Sequence, residues 1–338
     1  MLLRHPPFWL NRCQHVIVAF HSDVQMAAKL AMDRRSPNSL SSASTTSLDV
    51  LPCKICDSSA RLIGSKNGRL QSRPFHFYRC AVCGFLFVGD PWTDYAEIYS
   101  EAYYRGKGVD PYVDYVFELE HPETTVRAYE WRGILAAVAS FSPLSSKTRW
   151  LDYGCGNGGL VRHVKENTPC VIEGVEQGWI QDAARARGIA LLNDGDLQTR
   201  RGAYDVVTAI EVLEHVDQPL DTLRRIRELL RPGGLFFFTT GNLEMQRDSP
   251  LKWGYALPEI HISFYEPRTL EYAFQKTGFR SEFHDFTPGF EDIIRFKMLK
   301  TAGARRISPL ERYVPWRQLS KMADKRTGVT RHPIGWAI

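Results

Sequence analysis

The chain has 338 residues, 43% of them hydrophobic, and a formal net charge of +5. Its length predicts one catalytic domain of roughly 150–200 residues with additional segments. The apolar content excludes a chain that is disordered throughout, and the modest charge does not by itself require a nucleic acid or membrane partner. No apolar run reaches the roughly 18–20 residues that span a bilayer, so we expect a cytoplasmic protein without a transmembrane segment.

The first 50 residues read as a disordered N-terminal extension. Residues 36–48 hold eight Ser or Thr and show no apolar period. A segment of this composition buries too little apolar surface to form a core. We therefore expect no functional residue there.

Two CxxC pairs lie in the next segment, residues 51–90, as Cys53-Lys-Ile-Cys56 and Cys80-Ala-Val-Cys83. Each pair can bring two thiolates to one ion, and two pairs complete a tetrahedral Zn²⁺ site. Because protein ligands fill all four positions, such a zinc would be structural. Two disulfides or a redox CxxC are the alternatives, which a cytosolic chain without a thioredoxin-like unit disfavours. We predict a zinc ribbon over 51–90.

The loop between the cysteine pairs is rich in basic and aromatic residues. Such a mixture can bind single-stranded nucleic acid. It can equally pack the ribbon onto a neighbouring domain, which is the interpretation that we favour, so a nucleic acid partner is not expected. The residues concerned are Lys66, Arg69, Arg73, His76, Phe77, Tyr78 and Arg79.

Residues 91–147 form an aromatic-rich segment. The spacing of Tyr95, Tyr99 and Tyr103 is near that of a helix. This pattern predicts a helical segment whose aromatic residues mostly pack in a core. Some of them could instead line a substrate pocket.

From Arg149 onward, short apolar runs alternate with helical patterns. Strands are predicted to end at Leu151 and to cover 171–175, 204–210 and 235–240, with helices over 160–166, 181–187 and 220–231. This alternation predicts an α/β fold over residues 148–288, a doubly wound and mostly parallel Rossmann-like sheet. Asp292–Met298 is our candidate for a final antiparallel strand.

A glycine-rich turn follows the first of these strands, as Asp152-Tyr-Gly-Cys-Gly-Asn-Gly158. Gly154, Gly156 and Gly159 match G-x-G-x-x-G, which alone also fits a dinucleotide site. Asp152 distinguishes a dinucleotide site from a site for S-adenosylmethionine (SAM). A carboxylate repels the pyrophosphate of a dinucleotide but attracts the ammonium and sulfonium groups of SAM. The glycines allow the backbone to approach the ligand closely.

Two further carboxylates fit the same ligand. Glu176 ends the next strand, 20 residues after Gly156, where an acid can accept both ribose hydroxyl hydrogens. Asp196 lies where a loop side chain could bond the adenine amino group. The alternative interpretation of Glu176 is a surface glutamate at the end of a strand, and that of Asp196 is an ordinary turn aspartate.

Four ordered motifs together resemble those of class I SAM-dependent methyltransferases. The resemblance implies a seven-stranded sheet with SAM at the carboxyl ends of its strands. It assigns Asp152, Gly154 and Gly156 to the methionine side of SAM, Glu176 to the ribose and Asp196 to the adenine. The motifs are Leu151-Asp-Tyr-Gly-Cys-Gly-Asn-Gly158, Gly174-Val-Glu-Gln177, Tyr204-Asp-Val-Val-Thr-Ala-Ile-Glu-Val-Leu-Glu-His-Val216 and Leu230-Arg-Pro-Gly-Gly234.

The order of ribbon, tyrosine-rich segment and methyltransferase domain is similar to that of a bacterial subgroup associated with polysaccharide and nucleotide-sugar biosynthesis. Residues 253–255 and 258–265 resemble the subgroup's segment after the fifth strand. This likeness implies a small-molecule acceptor that is sugar-linked, such as a sugar or lipopolysaccharide precursor. Methyl transfer to a hydroxyl or a carbon acid needs a base, for which His261 and His215 are the candidates.

Three functions remain open on the sequence. The first is an O- or C-methyltransferase acting on a small metabolite such as a sugar or glycan precursor. The second is an RNA or protein methyltransferase that uses the ribbon for docking, and the third is a non-catalytic zinc-ribbon and SAM-binding protein. A basic C-terminal segment, 289–338, holds 11 Lys or Arg and four Asp or Glu from residue 290. It is either a solvated surface or a contact for an anionic partner.

Overall fold

The computed structural model describes residues 15–20, 49–110, 114–284, 288–327 and 332–337. Within these residues the strands form two sheets. The strands are β1 (His15–Phe20), β2 (Val50–Pro52), β3 (Ser59–Asn67), β4 (Pro74–Cys80), β5 (Leu86–Val88), β6 (Arg149–Tyr153), β7 (Val171–Val175), β8 (Leu191–Leu192), β9 (Tyr204–Ile210), β10 (Leu230–Thr240), β11 (Ser263–Phe264), β12 (Phe279–His284) and β13 (His332–Ala337). The α-helices are α1 (Tyr95–Ile98), α2 (Tyr115–Glu120), α3 (Arg127–Phe141), α4 (Gly159–Asn167), α5 (Ile180–Ala186), α6 (Asp194–Gln198), α7 (Pro219–Leu229), α8 (Pro267–Thr277), α9 (Phe290–Thr301) and α10 (Trp316–Thr327).

The larger sheet has the strand order β1-β12-β13-β10-β9-β6-β7-β8. Strands β6 to β10 pair in parallel, and β13 runs antiparallel to both β10 and β12. The chain thus winds outward from β6 in both directions, as a doubly wound sheet does. The predicted Rossmann-like α/β fold is confirmed, but the sheet has eight strands among the described residues and not the seven that the resemblance implies.

The prediction of a final antiparallel strand at Asp292–Met298 is wrong, because these residues belong to helix α9. Phe290, Ile293 and Ile294 are buried, at the i, i+3, i+4 spacing of a helix face. Helix α9 packs beside α3 on one face of the larger sheet. The antiparallel partners of β10 are instead β1 and β13.

Strand β1 lies within the segment that the sequence predicted to be disordered. It pairs antiparallel with β10 from His15 opposite Thr240 to Phe20 opposite Leu235. Its sequence, His-Val-Ile-Val-Ala-Phe, is rich in β-branched and apolar residues, which favour strands. Residues 1–14 and 21–48, including the Ser- and Thr-rich stretch, lie outside the described residues.

The smaller sheet is the ribbon, with strand order β11-β5-β4-β3-β2. Its fifth strand, β11, comes from far along the chain and pairs antiparallel with β5 through Ser263 opposite Phe87 and Phe264 opposite Leu86. The ribbon sheet therefore extends beyond the predicted boundary at residue 90. It is built into the domain that carries the larger sheet.

The two faces of the larger sheet have different cores. On one face, Leu223 of α7 and Phe274 of α8 belong to the same buried cluster as Phe87 of the ribbon. On the other face, Trp131 of α3 and Val161 of α4 pack with α9. Because the ribbon shares a core with the sheet, its position relative to the larger sheet is fixed by apolar packing.

Polar contacts also fix the ribbon. The Glu259 carboxylate accepts hydrogen bonds from the backbone N–H groups of residues 69–71. The buried Glu266 carboxylate pairs with Arg79 of the ribbon and with Arg247 and Arg268. A buried carboxylate needs such partners, because burial without them costs several kcal/mol.

The basic C-terminal segment uses part of its charge internally. Arg295 pairs with Glu311 at 3.0 Å, and Lys297 pairs with Glu130 at 3.1 Å. Arg305 pairs with Asp114 at 2.7 Å. These three cations stabilise contacts of α9 and the following chain instead of forming a free basic face.

Candidate functional site

A cavity of 670 Å³ opens at the carboxyl ends of β6, β7 and β9. This is the point where the strand order reverses around β6, the place where doubly wound sheets bind ligands. The glycine-rich turn, Glu176 and His215 lie in its wall. The described lining residues include five carboxylates and no Lys or Arg.

The glycine-rich turn leaves β6 at Tyr153 with its backbone in the left-handed region. Gly154 has a φ of 74° and Gly156 a φ of 56°. A Cβ on Gly154 would lie 2.6 Å from Val212 Cγ2, so the position has no room for a side chain. Both residues line the cavity, and their backbone can therefore approach a ligand directly.

Asp152 lies beneath this turn. Its side chain is 3% exposed, and its Oδ1 accepts a hydrogen bond from Thr208 Oγ1 at 2.7 Å. Asp152 lines a pocket of 40 Å³ that shares Gly154 and Gly156 with the main cavity. Burial raises the pKa of Asp152 to about 7, against the lowering effect of the Thr208 hydrogen bond.

Glu176 follows β7 and lines the main cavity. Its Oε2 accepts a hydrogen bond from Gly156 N at 2.7 Å, and its Oε1 accepts one from Gln177 N at 2.9 Å. Burial raises the pKa of Glu176 to about 7, although both amide hydrogen bonds favour the carboxylate. The two carboxylates and two glycines of the sequence prediction therefore lie around one turn.

Asp196 has a different local role from the one predicted. It is the third residue of α6, and its Oδ2 accepts a hydrogen bond from Asn193 N at 2.9 Å. Asn193 Oδ1 accepts one from Asp196 N in return, which completes a capping box. Asp194, two residues earlier, lines the cavity. The adenine contact of Asp196 stays a prediction, and Asp194 is a candidate that the sequence reasoning missed.

The tyrosines of the aromatic segment form a large part of the cavity wall. The sequence spacing predicted that most of these aromatic residues would pack in a core. Tyr103 and Tyr104 are buried as predicted, and they also line the cavity. Burial raises the pKa of Tyr99, so its phenol stays neutral at pH 7. The cavity-lining tyrosines of this segment are Tyr95, Tyr99, Tyr103, Tyr104 and Tyr115.

The two predicted histidines lie together at one end of the cavity, with ring centroids 4.8 Å apart. His215 lines the cavity, whereas His261 does not line it and is only 4% exposed. His215 Nδ1 lies 3.1 Å from the hydroxyl of Tyr99, in the aromatic segment. Burial lowers the pKa of His215 to about 4 and that of His261 to about 3, so both imidazoles are neutral at pH 7.

Two glutamates accompany these histidines. Glu214 is buried, accepts hydrogen bonds from Thr240 Oγ1 at 2.8 Å and from the Tyr255 hydroxyl, and has its pKa raised to about 8 by burial. Glu211 lines the cavity with a φ of 57° and pairs with Lys297 of α9 at 3.3 Å. The sequence analysis did not identify this lysine, because it interpreted residues 292–298 as a strand.

The four cysteines of the ribbon converge, with their sulfur atoms within 4.8 Å of one another. Cys53 Sγ lies 3.5 Å from Cys83 Sγ, and Cys56 Sγ lies 3.4 Å from Cys80 Sγ. All four are free thiols, which disfavours the disulfide alternative. Zn–S bonds of about 2.3 Å in a tetrahedron place sulfurs roughly 3.8 Å apart, so the cluster fits Zn²⁺.

Comparison with known proteins agrees with this geometry. Residues 126–282 match the family model of a methyltransferase domain. A ubiquinone biosynthesis O-methyltransferase of Nitrosospira multiformis is 35% identical over 27% of this chain and 42% of its own length. That of Aeromonas salmonicida is 36% identical over 28% of this chain and 43% of its own length. The chain thus spans less than half the length of these curated relatives.

Two solved structures also align with the chain. Geranyl diphosphate C-methyltransferase from Streptomyces coelicolor aligns at 19% identity and a TM-score of 0.40, covering 53% of this chain and 77% of its own. An S-adenosylmethionine-dependent methyltransferase from Mesorhizobium loti aligns at 21% identity and a TM-score of 0.39, covering 47% and 87%. In the part of the chain that the structure describes, no helix is long and apolar enough to cross a membrane.

Proposed function

We propose that the protein transfers a methyl group from SAM to a hydroxyl oxygen of a small metabolite, in line with the match of residues 126–282 to the family model of a methyltransferase domain. The observation that carries the proposal is the 670 Å³ cavity at the carboxyl ends of the parallel strands. The glycine-rich turn and Glu176 line one part of it, and His215 with Tyr99 lines another. The cavity therefore offers one region to the donor and another to an acceptor.

The donor region suits a cation with a ribose. Glu176 is held by two backbone amides with its carboxylate at the cavity wall, where it can accept hydrogen bonds from the ribose hydroxyls. Asp152 adds a negative charge beneath the turn that would hold the methionine moiety. The tyrosine rings around the cavity also suit a sulfonium, because cations are attracted to aromatic faces.

SAM affinity is expected to fall as the pH is lowered from 7.5 to 5.5. The cation favours ionised carboxylates, and burial raises the pKa of Glu176 and of Asp152 to about 7. Below that pH each proton must be displaced, which weakens binding by up to about tenfold per pH unit and group. Calorimetric titration across this pH range measures how the SAM dissociation constant changes with pH. Glu176→Gln should make this change smaller. A dissociation constant independent of pH would contradict the assignment of these carboxylates.

The acceptor region suits an uncharged molecule. Lys and Arg are absent from the described lining, whereas acidic groups and phenols are present. An acceptor that carries phosphate, such as a nucleotide sugar or a nucleic acid, would meet repulsion there. A neutral hydroxyl compound, including a neutral sugar, fits better. The O-methyltransferase names of the curated relatives agree with a hydroxyl acceptor.

The reaction is an in-line displacement at the methyl carbon. The acceptor oxygen forms a bond to the methyl group as the carbon–sulfur bond breaks, and sulfur keeps the electron pair. The enzyme must align the two molecules and allow the hydroxyl proton to leave. His215 and Glu211 line the acceptor end and can meet that hydroxyl, whereas His261 contacts the His215 ring and positions it.

The two alternatives suggested by the sequence receive less support. Docking of RNA would need the basic residues of the ribbon, but Lys66 donates to the backbone oxygens of Trp253 and Ala256, and Arg79 pairs with Glu266. A non-catalytic SAM-binding role would not require an acceptor region beside the donor region. We therefore favour the enzyme.

Transfer of a labelled methyl group tests this proposal. The purified protein is given labelled SAM with neutral phenols, neutral sugars, nucleotide sugars or RNA. We expect label in a neutral hydroxyl compound and a loss of at least about 100-fold in kcat for His215→Ala, within the range by which acid–base groups contribute. His163→Ala, on α4 and outside the cavity lining, is the control. Absence of SAM binding by calorimetry would overturn the proposal.

A further inference from the structure

A second group of metal-ligating side chains lies at the acceptor end, apart from the four cysteines. Glu214, His215 and His261 bring one ligand atom each to within 4.8 Å of one another. Glu214 and His215 belong to a single turn after β9, and His261 comes from the segment before β11. The donor assignment uses none of the three.

Both imidazoles are oriented by backbone carbonyl groups. His215 Nδ1 lies 2.9 Å from Ile260 O, and His261 Nδ1 lies 2.5 Å from Tyr255 O. A carbonyl oxygen only accepts, so each Nδ1 carries the hydrogen and each Nε2 keeps its lone pair. Metal-binding histidines are usually held in this way, by a hydrogen bond from the nitrogen that does not bind the metal.

The third group is a carboxylate without a cationic partner among the described residues. Glu214 is fully buried, and its two side-chain donors, Thr240 and Tyr255, are neutral hydroxyl groups. Glu266 and Glu130 are also buried and are paired with cations, whereas buried Asp152 and Glu259 accept hydrogen bonds from neutral donors, as Glu214 does. Glu214 lies beside the two histidines, with one ligand atom of each of the three residues within 4.8 Å of the others, and a cation bound there would give the carboxylate a charged partner.

We propose that His215, His261 and Glu214 bind one divalent transition-metal ion at the acceptor end of the cavity. Two imidazole nitrogens and one carboxylate suit Zn²⁺, Mn²⁺ or Fe²⁺, whereas Mg²⁺ prefers oxygen ligands. Three protein ligands leave coordination positions open. Since His215 lines the cavity, the open positions would face the acceptor.

If the protein carries out the proposed O-methyl transfer, a metal ion at this position would activate the acceptor hydroxyl. A hydroxyl oxygen bound to the ion has a lower pKa, as water bound to zinc does, and loses its proton at neutral pH. The proton leaves to solvent or to Glu211 on the cavity wall. His215 then acts as a ligand that touches the ion. Binding of the ion itself does not depend on the reaction.

Titration with Mn²⁺ tests the site in the full chain prepared with a single equivalent of zinc, which the four cysteines of the ribbon would take up. Thiolates select softer ions, so Mn²⁺ reports on the histidine and carboxylate site and not on the cysteines. We expect the electron paramagnetic resonance signal of free Mn²⁺ to be lost with one equivalent per chain. His261→Ala and the cavity-wall variant His215→Gln should each weaken binding by at least tenfold, and His163→Ala should not change it.

Ribbon zinc content and SAM affinity are measured on the same samples to report on folding. Failure of the unaltered protein to bind either Mn²⁺ or Co²⁺ at millimolar concentration would overturn the metal proposal. Equal binding by the unaltered protein and both histidine variants would do so as well. If SAM binding and methyl transfer persist in either case, the proposed function stands without the metal; if SAM binding is absent, the donor assignment fails separately.

Discussion

Glu176→Ala is expected to weaken SAM binding by at least about 100-fold. The carboxylate lies at the cavity wall, held there by the N–H groups of Gly156 and Gln177. Hydrogen bonds to a charged group contribute about 1.5–3 kcal/mol each, so the loss of two to the ribose predicts about 3 kcal/mol or more. That free energy corresponds to roughly 100-fold in Kd at 25 °C. Isothermal titration calorimetry with SAM measures it directly.

The control for this variant is Glu166→Ala on the exposed part of α4, where the glutamate pairs with Arg162. It should bind SAM as the unaltered protein does. The SAM affinity of Glu176→Gln should lie between those of Glu176→Ala and Glu166→Ala, because the amide keeps one acceptor oxygen but loses the charge. If Glu176→Ala retained full affinity while its melting temperature was unchanged, the ribose would have to bind elsewhere in the cavity.

The donor region was the most predictable part of the molecule. Its turn occupies seven consecutive residues from Asp152, and Glu176 ends the adjacent parallel strand. In a parallel sheet, successive strand ends meet at one edge, so chain order alone brings these residues together. The cysteine cluster was predictable for a related reason, since each CxxC pair forms one local turn.

The acceptor end was harder to predict, because its residues are brought together by tertiary contacts. His261 lies against His215 because its segment pairs with β5 of the ribbon through β11 and bonds to the turn after β9 through Ile262 N and Glu214 O. Periodicity predicted helices over the tyrosine segment but not which face would meet the cavity. For α9 the signal was present, because Phe290, Ile293 and Ile294 have helical spacing, and the expectation of a last strand outweighed it.

Cys80→Ser, which removes one of the four predicted zinc ligands, is expected to destabilise the whole domain and not only the ribbon. Cys80 and Phe87 belong to the same buried cluster as Leu213, which precedes Glu214 and His215. Tyr265, directly after β11, donates a hydrogen bond to the Leu213 carbonyl oxygen. The ribbon core therefore continues into the turn that carries the acceptor-end residues.

Backbone hydrogen bonds make the same connection. Val88 N on β5 donates to Ile262 O, and Ile262 N donates to Glu214 O. A structural zinc contributes about 10–16 kcal/mol in zinc-finger peptides, comparable with the roughly 5–15 kcal/mol that stabilises a whole domain. We expect Cys80→Ser to lose its zinc and to melt more than about 10 °C lower. Metal analysis and thermal unfolding measure both changes.

The matched control is Cys170→Ser, a buried free cysteine outside the ribbon, which should keep its zinc. If Cys80→Ser is insoluble, chelation of the unaltered protein gives the same comparison, and added Zn²⁺ should restore the melting temperature. SAM affinity and the environment of His215 should change together with zinc loss, because β5 holds the segment that contacts this turn. A zinc-free protein with an unchanged melting temperature and SAM affinity would show that metal binding by the cysteines does not stabilise this shared core.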